Sequence, residues 1–398
     1  MVMKILVLNC GSSTLKFQLI DVEETGRQRK LARGIVDRIG GNGNYRFIAG
    51  DSAPIENDVP VRRHEEAVGL VISWLQSTPQ LSPPDAAGHR VVHGGQKFTE
   101  SVAIDDAVLG ELEALCELAP LHNPAAVSGI RAARKILGST TPMAAVFDTS
   151  FHHGMPEYAS TYAIPQELSR KHGVRRYGFH GVAHEYDVAR YAELNGKQVR
   201  EIDAVVMHLG NGCSASAIRN GQSVDTSMGF TPLEGLVMGT RSGDLDPALV
   251  SYLARKENVD AAEVESWLNK RSGLLGVSAL SNDMRELTAA YNENSRARLA
   301  VDLFCYRARK YIGAYLAALG GAEAVIFSGG IGENSALVRR LICGGMEWLG
   351  LRLDVAANDE IVGREGRIST PDSQLAVYVI HTDEEAIIAR ETARIIRA

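Results

Sequence analysis

Two arginines of this sequence lie beside glycines, where an incoming ligand could reach them. Arg90 lies in the segment GHRVVHGG and Arg241 in the segment GTRSGD. A planar guanidinium binds carboxylate and phosphate oxygens through paired hydrogen bonds, and it can stabilise a phosphoryl group during transfer. The alternative is ordinary ion pairing, for Arg241 with Asp244 or Asp246. The sequence alone leaves both roles open.

Asp148 and His180 are two further candidates for an active site. Asp148 follows the apolar segment MAAVF, and a carboxylate at the carboxyl end of a strand is a common active-site position in α/β folds. It could equally close the strand through a turn. His180 lies between Gly178 and Gly181 in RRYGFHG. Because these glycines leave room for a ligand, we favour a site role for His180 over that of a buried structural histidine.

Three glycine-rich turns follow apolar strands: NCGSST, LGNGCS and GGIGEN. Turns of this kind expose backbone N–H groups that bind phosphate oxygens, and the third turn continues into the start of a helix. Lys16 follows the first turn along the second strand, where its ammonium group could reach a phosphate. The pattern predicts a duplicated nucleotide-binding core with a cleft between its halves. The sequence contains neither the P-loop motif nor the protein-kinase catalytic loop.

Asn9 and Glu384 are candidates for a cation site. Asn9 ends the first predicted strand, and Glu384 begins the last predicted helix. Each residue could be only a turn or a cap. If the last helix packs against the first domain, the amide oxygen and the carboxylate could meet at a magnesium ion.

The composition is that of an ordinary globular protein of 398 residues, with 45% hydrophobic and 23% charged residues. This length predicts two domains. We place the boundary near residue 150, with domains at 1–150 and 151–382 and with the last helix (383–398) joining the first domain. The net charge of −6 argues against a nucleic-acid or anionic-membrane partner. Five cysteines without a CxxC motif and a short apolar N-terminus predict a soluble, cytoplasmic protein.

The predicted elements place these candidates at the ends of strands. Strands at 5–8 and 15–21 pair and continue into a meander at 31–39 and 45–49, and further strands follow in AAGHRVVHGG and MAAVFDTSFHH. Helices are predicted at 64–76, from an aspartate cap at 105 or 106, and at 124–137.

The second half repeats this arrangement of elements. It begins with a strand at 204–209, a hairpin and a third short strand. The segment 227–247 is long and irregular, which is typical of a functional loop. Helices are predicted at 295–319 and 334–348, then a strand in LAVYVIHT and a last helix capped by Thr382 or Asp383.

Together these motifs resemble the acetate kinase (acetokinase) family, which belongs to the superfamily of acetate and sugar kinases, heat-shock chaperone ATPases and actin. The resemblance runs from Lys4 to about Thr392 and includes NCGSSTLKF, GHRVVHGG, PLHNP, FDTSFH, RRYGFHG, HLGNG, DMR, GGIGEN and TDEE. It implies an α/β fold of two duplicated ribonuclease H-like domains, the actin-like ATPase fold, with an interdomain cleft. It also implies reversible transfer of the γ-phosphoryl group of ATP to acetate, giving acetyl phosphate and ADP. Mg²⁺, or alternatively Mn²⁺, is the implied cofactor, and a homodimer the implied assembly.

The resemblance also implies a role for each matching residue. Asn9 and Glu384 match the metal positions, Arg90 the acetate position, and Asp148, His180 and Arg241 the catalytic positions. The apolar pocket for the methyl group of acetate matches Val92, Leu121, Phe179 and Pro232. The positions that match the ATP site are Ser12, Thr14, Lys16, His208, Leu209, Gly210, Asn211, Gly212, Asp283, Met284, Arg285, Gly330, Ile331, Gly332, Glu333 and Asn334.

Two positions depart from the family pattern. Thr14 stands where the family usually has a serine, and HTDEE replaces PTNEE, so that Asp383 adds a charge beside Glu384. Val92 matches the acetate kinases, whereas propionate kinases have a smaller residue there.

The expected mechanism is direct in-line transfer, in which Asp148 orients an arginine or the metal shell, because acetate is already an anion. The alternatives are a propionate or other short-chain acyl kinase and an ATP-driven clamp of the chaperone or actin type. A clamp should lack the set of Arg90, His180 and Arg241 and should carry a substrate-binding appendage, for which six residues after Thr392 leave no room.

Overall fold

The computed structural model describes residues 2–78, 80–81, 83–120 and 122–398. It divides into two compact units, one formed by Met1–Phe151 with Asp383–Ala398 and the other by His152–Thr382. Each unit contains one large sheet and its own helices. Among the described residues, no helix combines the length and the apolar character needed to cross a membrane.

The first unit is built on an eight-stranded sheet with the order β5-β4-β3-β2-β1-β6-β8-β7. Its strands are β1 (Met3–Cys10), β2 (Leu15–Val22), β3 (Gln28–Asp37), β4 (Gly41–Ala49), β5 (Ile55–Val61), β6 (Ala86–Val91), β7 (Val102–Ala103) and β8 (Met143–Phe147). Its helices are α1 (His64–Ser77), α2 (Asp106–Ala114), α3 (Asn123–Leu137) and α15 (Glu384–Arg397). Strands β1, β6 and β8 are parallel neighbours. Their carboxyl ends therefore meet at one edge of the sheet.

Helix α15 packs on this sheet through a close approach to β6. Its apolar side chains, including Ile388, are buried, and Asp383 caps its N-terminus. Gly88 in β6 lies directly against Ile388 and Thr392, so that a Cβ atom at residue 88 would collide with the Thr392 hydroxyl. The absence of a side chain at Gly88 lets the helix approach closely enough to bring Glu384 to the sheet edge.

The second unit is built on a six-stranded sheet with the order β11-β10-β9-β12-β14-β13. Its strands are β9 (Ala204–Leu209), β10 (Cys213–Arg219), β11 (Gln222–Thr226), β12 (Ala324–Ser328), β13 (Gly366–Arg367) and β14 (Ala376–Val379). Its helices are α4 (Glu157–Ser160), α5 (Gln166–His172), α6 (Gly181–Leu194), α7 (Ala248–Glu257), α8 (Ala261–Lys270), α9 (Gly273–Ser278), α10 (Met284–Ala289), α11 (Ser295–Leu319), α12 (Gly329–Asn334), α13 (Ala336–Cys343) and α14 (Val355–Glu360). Short 3₁₀ turns lie at Ser150–His152, Val199–Glu201 and Glu347–Leu349.

The two sheets share one internal arrangement. The order β3-β2-β1-β6-β8 in the first corresponds to β11-β10-β9-β12-β14 in the second. In each sheet an antiparallel meander of three strands is followed by two strands parallel to its first strand. This arrangement confirms the predicted duplicated α/β fold.

One strand was missed, and two predicted elements were wrong in extent. Strand β5 (IENDVPV) was not predicted because most of its residues are polar and it contains Pro60. It is a mostly exposed strand at the edge of the sheet, where proline is tolerated. The strand predicted through MAAVFDTSFHH ends at Phe147, and a 3₁₀ turn follows. The helix predicted at 334–348 is shorter, because Ser335 caps a new helix that ends at Cys343.

Candidate active site

The first unit holds Arg90 and Asp148 together at the carboxyl edge of its sheet. Arg90 lies near the end of β6, and Asp148 directly follows β8. Arg90 Nε donates to Asp148 Oδ1 at 2.9 Å, and Nη2 donates to Oδ2 at 2.6 Å. The Asp148 side chain is 1% exposed, whereas that of Arg90 is 17% exposed. The carboxylate raises the pKa of the guanidinium, which burial alone would lower. Arg90 therefore keeps its charge in a fixed orientation.

Asn9 and Glu384 lie beside this pair. Asn9 Oδ1 accepts a hydrogen bond from Arg90 Nη1 at 3.2 Å, and Asn9 Nδ2 donates to Glu384 Oε2 at 3.1 Å. Glu385 adds a second carboxylate, with its Oε1 atom 3.5 Å from Asn9 Nδ2. Burial and the charge of Glu384 raise the pKa of Glu385. The structure thus brings Asn9 and Glu384 together, and it adds Glu385, which the sequence reasoning missed although it lies in TDEE.

The donor set at Asn9 suits a hard divalent cation. The carboxylates of Glu384 and Glu385 supply neighbouring oxygen ligands, and positive charge would relieve their crowding. Asn9 turns its Nδ2 atom toward both, so its Oδ1 atom, which accepts from Arg90, joins them only when the amide group is reversed. No cluster of three or more His, Cys, Asp or Glu side chains suited to a metal occurs in the described parts of the chain. Magnesium is commonly held by one or two carboxylates together with water and substrate phosphates. The residues present fit Mg²⁺ on these terms.

The first glycine turn joins β1 and β2 next to Asn9. Gly11 N donates to Thr14 O at 2.8 Å, while Ser12 is exposed at the tip of the turn. Lys16 pairs with Asn9 in the register of β1 and β2 and is exposed, whereas its neighbours Leu15 and Phe17 are buried. The turn therefore presents Ser12, Thr14 and Lys16 at the same edge of the sheet as Asn9.

The residues of the predicted methyl pocket belong to two different units of the chain. Val92 follows β6 in the first unit and is half-buried. In the second unit Phe179 is buried and its carbonyl contacts His152, while the Pro232 carbonyl accepts from Arg241. Leu121 lies outside the described residues. The pocket stays a prediction.

In the second unit, His180 is the N-cap residue of α6. Its φ of 57° is in the left-handed region, which non-glycine residues seldom adopt. His180 Nδ1 lies 2.9 Å from the Ser214 hydroxyl in β10, and His184 Nε2 lies 2.7 Å from the same oxygen. Backbone strain of this kind clusters at functional sites.

Arg241 lies beside His180 and has no carboxylate partner within the described parts of the chain. Arg241 Nη1 donates to the carbonyl of Pro232 at 3.1 Å, and burial lowers the pKa of the guanidinium. The alternative of a pair with Asp244 or Asp246 is wrong, because Asp244 pairs with Arg307 and Asp246 accepts from the backbone N–H of Ala248. A Cβ atom at Gly212 would lie 3.5 Å from His180 Nε2 and 3.6 Å from Arg241 Nη1. The glycine therefore keeps open a space that both donor groups border.

A pocket of about 710 Å³ lies in the second unit, and Gly210 and Asn211, which directly precede Gly212 in the chain, are among its lining residues. It brings together eight of the predicted ATP-site residues with three that the sequence reasoning missed. The lining residues are Gly210, Asn211, Asn282, Asp283, Met284, Arg285, Thr288, Gly330, Ile331, Asn334 and Ser335. Its size falls in the range of small-molecule sites.

Other predicted ATP-site residues lie behind the glycine turns. Gly332 and Glu333 are buried, and Glu333 Oε1 accepts from the backbone N–H of Gly329 at 3.0 Å, so Glu333 supports the third turn from within. The His208 Nδ1 atom lies 3.0 Å from Ser328 Oγ. Ser328 in turn donates to buried Asp187 at 2.5 Å. Nothing in the helical segment around Asp187 signalled this contact in the sequence.

Comparison with known proteins identifies relatives over the whole length. Residues 4–390 match the acetokinase family. The acetate kinase of Solibacter usitatus is 50% identical over 99% of this chain and 98% of its own length, and that of Chloroherpeton thalassium is 48% identical over 98% and 99%. Among solved structures, the acetate kinase of Porphyromonas gingivalis is 42% identical with a TM-score of 0.90, covering 99% of this chain and 100% of its own. A propionate kinase from Francisella tularensis is 40% identical with a TM-score of 0.91, covering 98% and 99%.

Proposed function

The chain belongs to the acetokinase family, kinases that transfer phosphate to a carboxylate, and we propose that it transfers the γ-phosphoryl group of ATP to acetate. The products are acetyl phosphate and ADP, and the reaction is reversible. The proposed transfer is direct and in line, so no covalent intermediate with the protein is needed. Positioning and electrostatic stabilisation supply most of the catalysis of such reactions.

The observation that carries this proposal is the state of Arg241. Burial lowers the pKa of its guanidinium, but an arginine stays protonated in proteins. The group has no carboxylate partner among the described residues, and it borders the same open space as His180 Nε2. A buried cation without a counter-charge is costly, so such a group favours a bound anion. An anionic phosphoryl group in transfer provides that charge.

Arg90 is proposed to bind the acetate carboxylate. Its guanidinium is held by Asp148 through two hydrogen bonds, so its orientation is set before substrate arrives. Because Asp148 uses both oxygens on Arg90, we assign it the role of orienting Arg90 rather than moving a proton. Acetate is ionised at neutral pH and needs no general base.

Asn9 and Glu384, with Glu385 beside them, are proposed to hold Mg²⁺. When bound, Mg²⁺ neutralises part of the charge on the ATP phosphates. The ammonium of Lys16 and the turn at Ser12 and Thr14 are proposed to bind the phosphates. The pocket lined by Asn211, Asp283 and Gly330, with the other lining residues, is proposed to take the rest of the nucleotide.

Propionate is the second candidate acceptor. The similarity to the propionate kinase of Francisella tularensis favours it, whereas Val92 favours acetate. One additional methylene changes discrimination by only about 1–3 kcal/mol. We therefore propose that propionate is a poorer substrate rather than an excluded one.

The test is ATP-dependent acyl-phosphate formation with acetate, propionate and butyrate, with and without Mg²⁺. A preparation of the Arg241→Ala variant, purified identically, controls for a kinase carried over from the expression host. Absence of product with every acid would overturn the proposed function. We also propose a homodimer and a cytoplasmic location, and light scattering of the purified chain tests the assembly.

A further inference from the structure

Ser214 contacts two histidines at once. Its hydroxyl in β10 is fully buried and lies 2.9 Å from His180 Nδ1 and 2.7 Å from His184 Nε2. His180 is the N-cap of α6 and His184 lies in its first turn, where the backbone N–H of His184 donates to the carbonyl of His180. A hydroxyl has a single proton. Ser214 can therefore donate to only one of the two rings and must accept from the other.

The environment of His184 decides the direction. His184 is fully buried, and its Nδ1 atom has no hydrogen-bond partner among the described residues. Burial, together with the neighbouring His152 and His208, lowers the pKa of His184 well below its ordinary value, so the ring is neutral and has one N–H. Nδ1 is without a partner in either tautomer, as a buried donor if it carries the proton and as a buried acceptor if it does not, and buried N–H groups left without an acceptor are the rarer of the two in proteins. The proton therefore lies on Nε2, which donates to Ser214.

The Ser214 proton must then go to His180. Because the Ser214 oxygen accepts from His184, its hydroxyl donates to His180 Nδ1, which must be unprotonated. The proton of a neutral His180 consequently lies on Nε2, the atom that borders the open space at Gly212 together with Arg241.

We propose that His184 and Ser214 are positioning residues that fix His180 in the neutral tautomer with its proton on Nε2. In this state His180 donates a hydrogen bond into the space beside Arg241. The role of His180 toward a transferred phosphoryl group rests on the proposed function, whereas the assignment of the tautomer is independent of that function.

The direct test is NMR spectroscopy of the full chain labelled with ¹⁵N-histidine, near neutral pH and without substrates. Two-bond proton–nitrogen correlations distinguish protonated from unprotonated ring nitrogens, and the His180→Gln variant assigns the His180 signals. We expect an unprotonated Nδ1 and a protonated Nε2 in both His180 and His184. A proton on Nδ1 of His180 would overturn the proposal. Because no substrate is present, this result is independent of whether the chain is an acetate kinase.

Activity measurements test the consequence. Ser214→Ala and His184→Leu remove the hydrogen bonds that set the tautomer, and each should lower kcat about tenfold, the weight of roughly one hydrogen bond. The KM values for ATP and acetate should stay within about twofold. In His184→Gln the amide N–H can still donate to Ser214, so this variant should recover most of the loss and keep the tautomer. Equal activity of His184→Leu and wild type would contradict the proposal, and so would a Ser214→Ala spectrum with His180 unchanged.

Discussion

Arg90 and Asp148 form a paired ionic contact at the carboxyl edge of the first sheet, with N–O distances of 2.9 and 2.6 Å. The two residues are 58 positions apart and end neighbouring parallel strands. Because both carboxylate oxygens of Asp148 accept hydrogen bonds from Arg90, Asp148 is the group that orients the guanidinium.

Asp148→Asn is therefore expected to weaken acetate binding before it affects ATP. The amide has one acceptor oxygen, and its NH2 group would face a guanidinium N–H where the second carboxylate oxygen now accepts, so Arg90 loses its two-point contact and its fixed orientation. We expect the KM for acetate to rise at least about tenfold, with little change in the KM for ATP. Loss of a buried partner should also reduce the free energy of unfolding by about 3 kcal/mol. Steady-state kinetics and urea unfolding measure the two effects.

The matched control for Asp148→Asn is Glu365→Gln. Glu365 pairs with Arg190 through similar contacts, but the pair is more exposed. We expect normal kinetics and a loss of about 1 kcal/mol or less. If Asp148→Asn behaved like Glu365→Gln, Asp148 would have no orienting role.

Arg241→Met should abolish most activity without destabilising the protein. A transferred phosphoryl group would lose its guanidinium, and such an arginine contributes about 10³ to 10⁵ in rate. Because Arg241 has no carboxylate partner among the described residues, its removal leaves no buried charge unpaired. We expect the free energy of unfolding to stay within about 1 kcal/mol of wild type.

Arg307→Met is the control, since Arg307 pairs with Asp244 and should be dispensable for turnover. A kcat near wild type for Arg241→Met would remove Arg241 from the mechanism.

Gly212→Ala tests the open space beside His180 and Arg241. The new methyl would lie 3.4 Å from His180 Cε1 and 3.6 Å from Arg241 Nη1, which are ordinary contacts, so the fold should tolerate it. The methyl would nevertheless occupy the space that both donors border. We expect kcat to fall by about 10² with an unchanged melting temperature. Gly313→Ala in α11, where a Cβ atom meets nothing within 4 Å, is the control and should keep full activity. Equal activity of the two variants would show that the space is not used.

The sequence patterns predicted the strands and turns better than the contacts between distant segments. Asn9, Arg90 and Asp148 were predictable at strand ends, because apolar runs followed by polar residues mark the carboxyl edge of a parallel sheet. The contact of Asn9 with Glu385 joins residues 376 positions apart, and no local periodicity encodes such a distance. That Arg241 finds no carboxylate partner in the described parts of the chain was equally unpredictable, since it depends on where Asp244 finds its partner. The contact of His180 and His184 with Ser214 was also unpredictable, because it depends on how α6 packs against β10.

Gly88→Ala should displace the last helix and with it the proposed cation site. A Cβ atom at residue 88 collides with Thr392 and lies 2.9 Å from Ile388 Cγ2. Overpacking of this kind costs about 1–3 kcal/mol. Because α15 begins at Glu384, the same shift should raise the Mg²⁺ concentration for half-maximal activity several-fold. Titration of activity with Mg²⁺ at saturating ATP and acetate measures this effect. If the variant were destabilised but needed no more Mg²⁺ than wild type, the proposal that Glu384 binds the cation would be wrong.

Acidification should destabilise the protein through its buried histidines. Burial lowers the pKa of His89 to about 3 and that of His152 to about 4, whereas in the unfolded chain both titrate near 6.5. Between about pH 6.5 and 4 the unfolded chain therefore binds protons that the folded chain does not, and stability falls as the pH falls. Each such histidine contributes a slope of about 1.4 kcal/mol per pH unit.

His89→Leu should reduce the measured slope by that amount, because the buried Nε2 atom of His89 has no partner among the described residues. His172→Leu, at an exposed position, is the control, and urea unfolding at several pH values compares the variants. An identical slope for His89→Leu and wild type would mean that His89 is already protonated in the folded protein at these pH values.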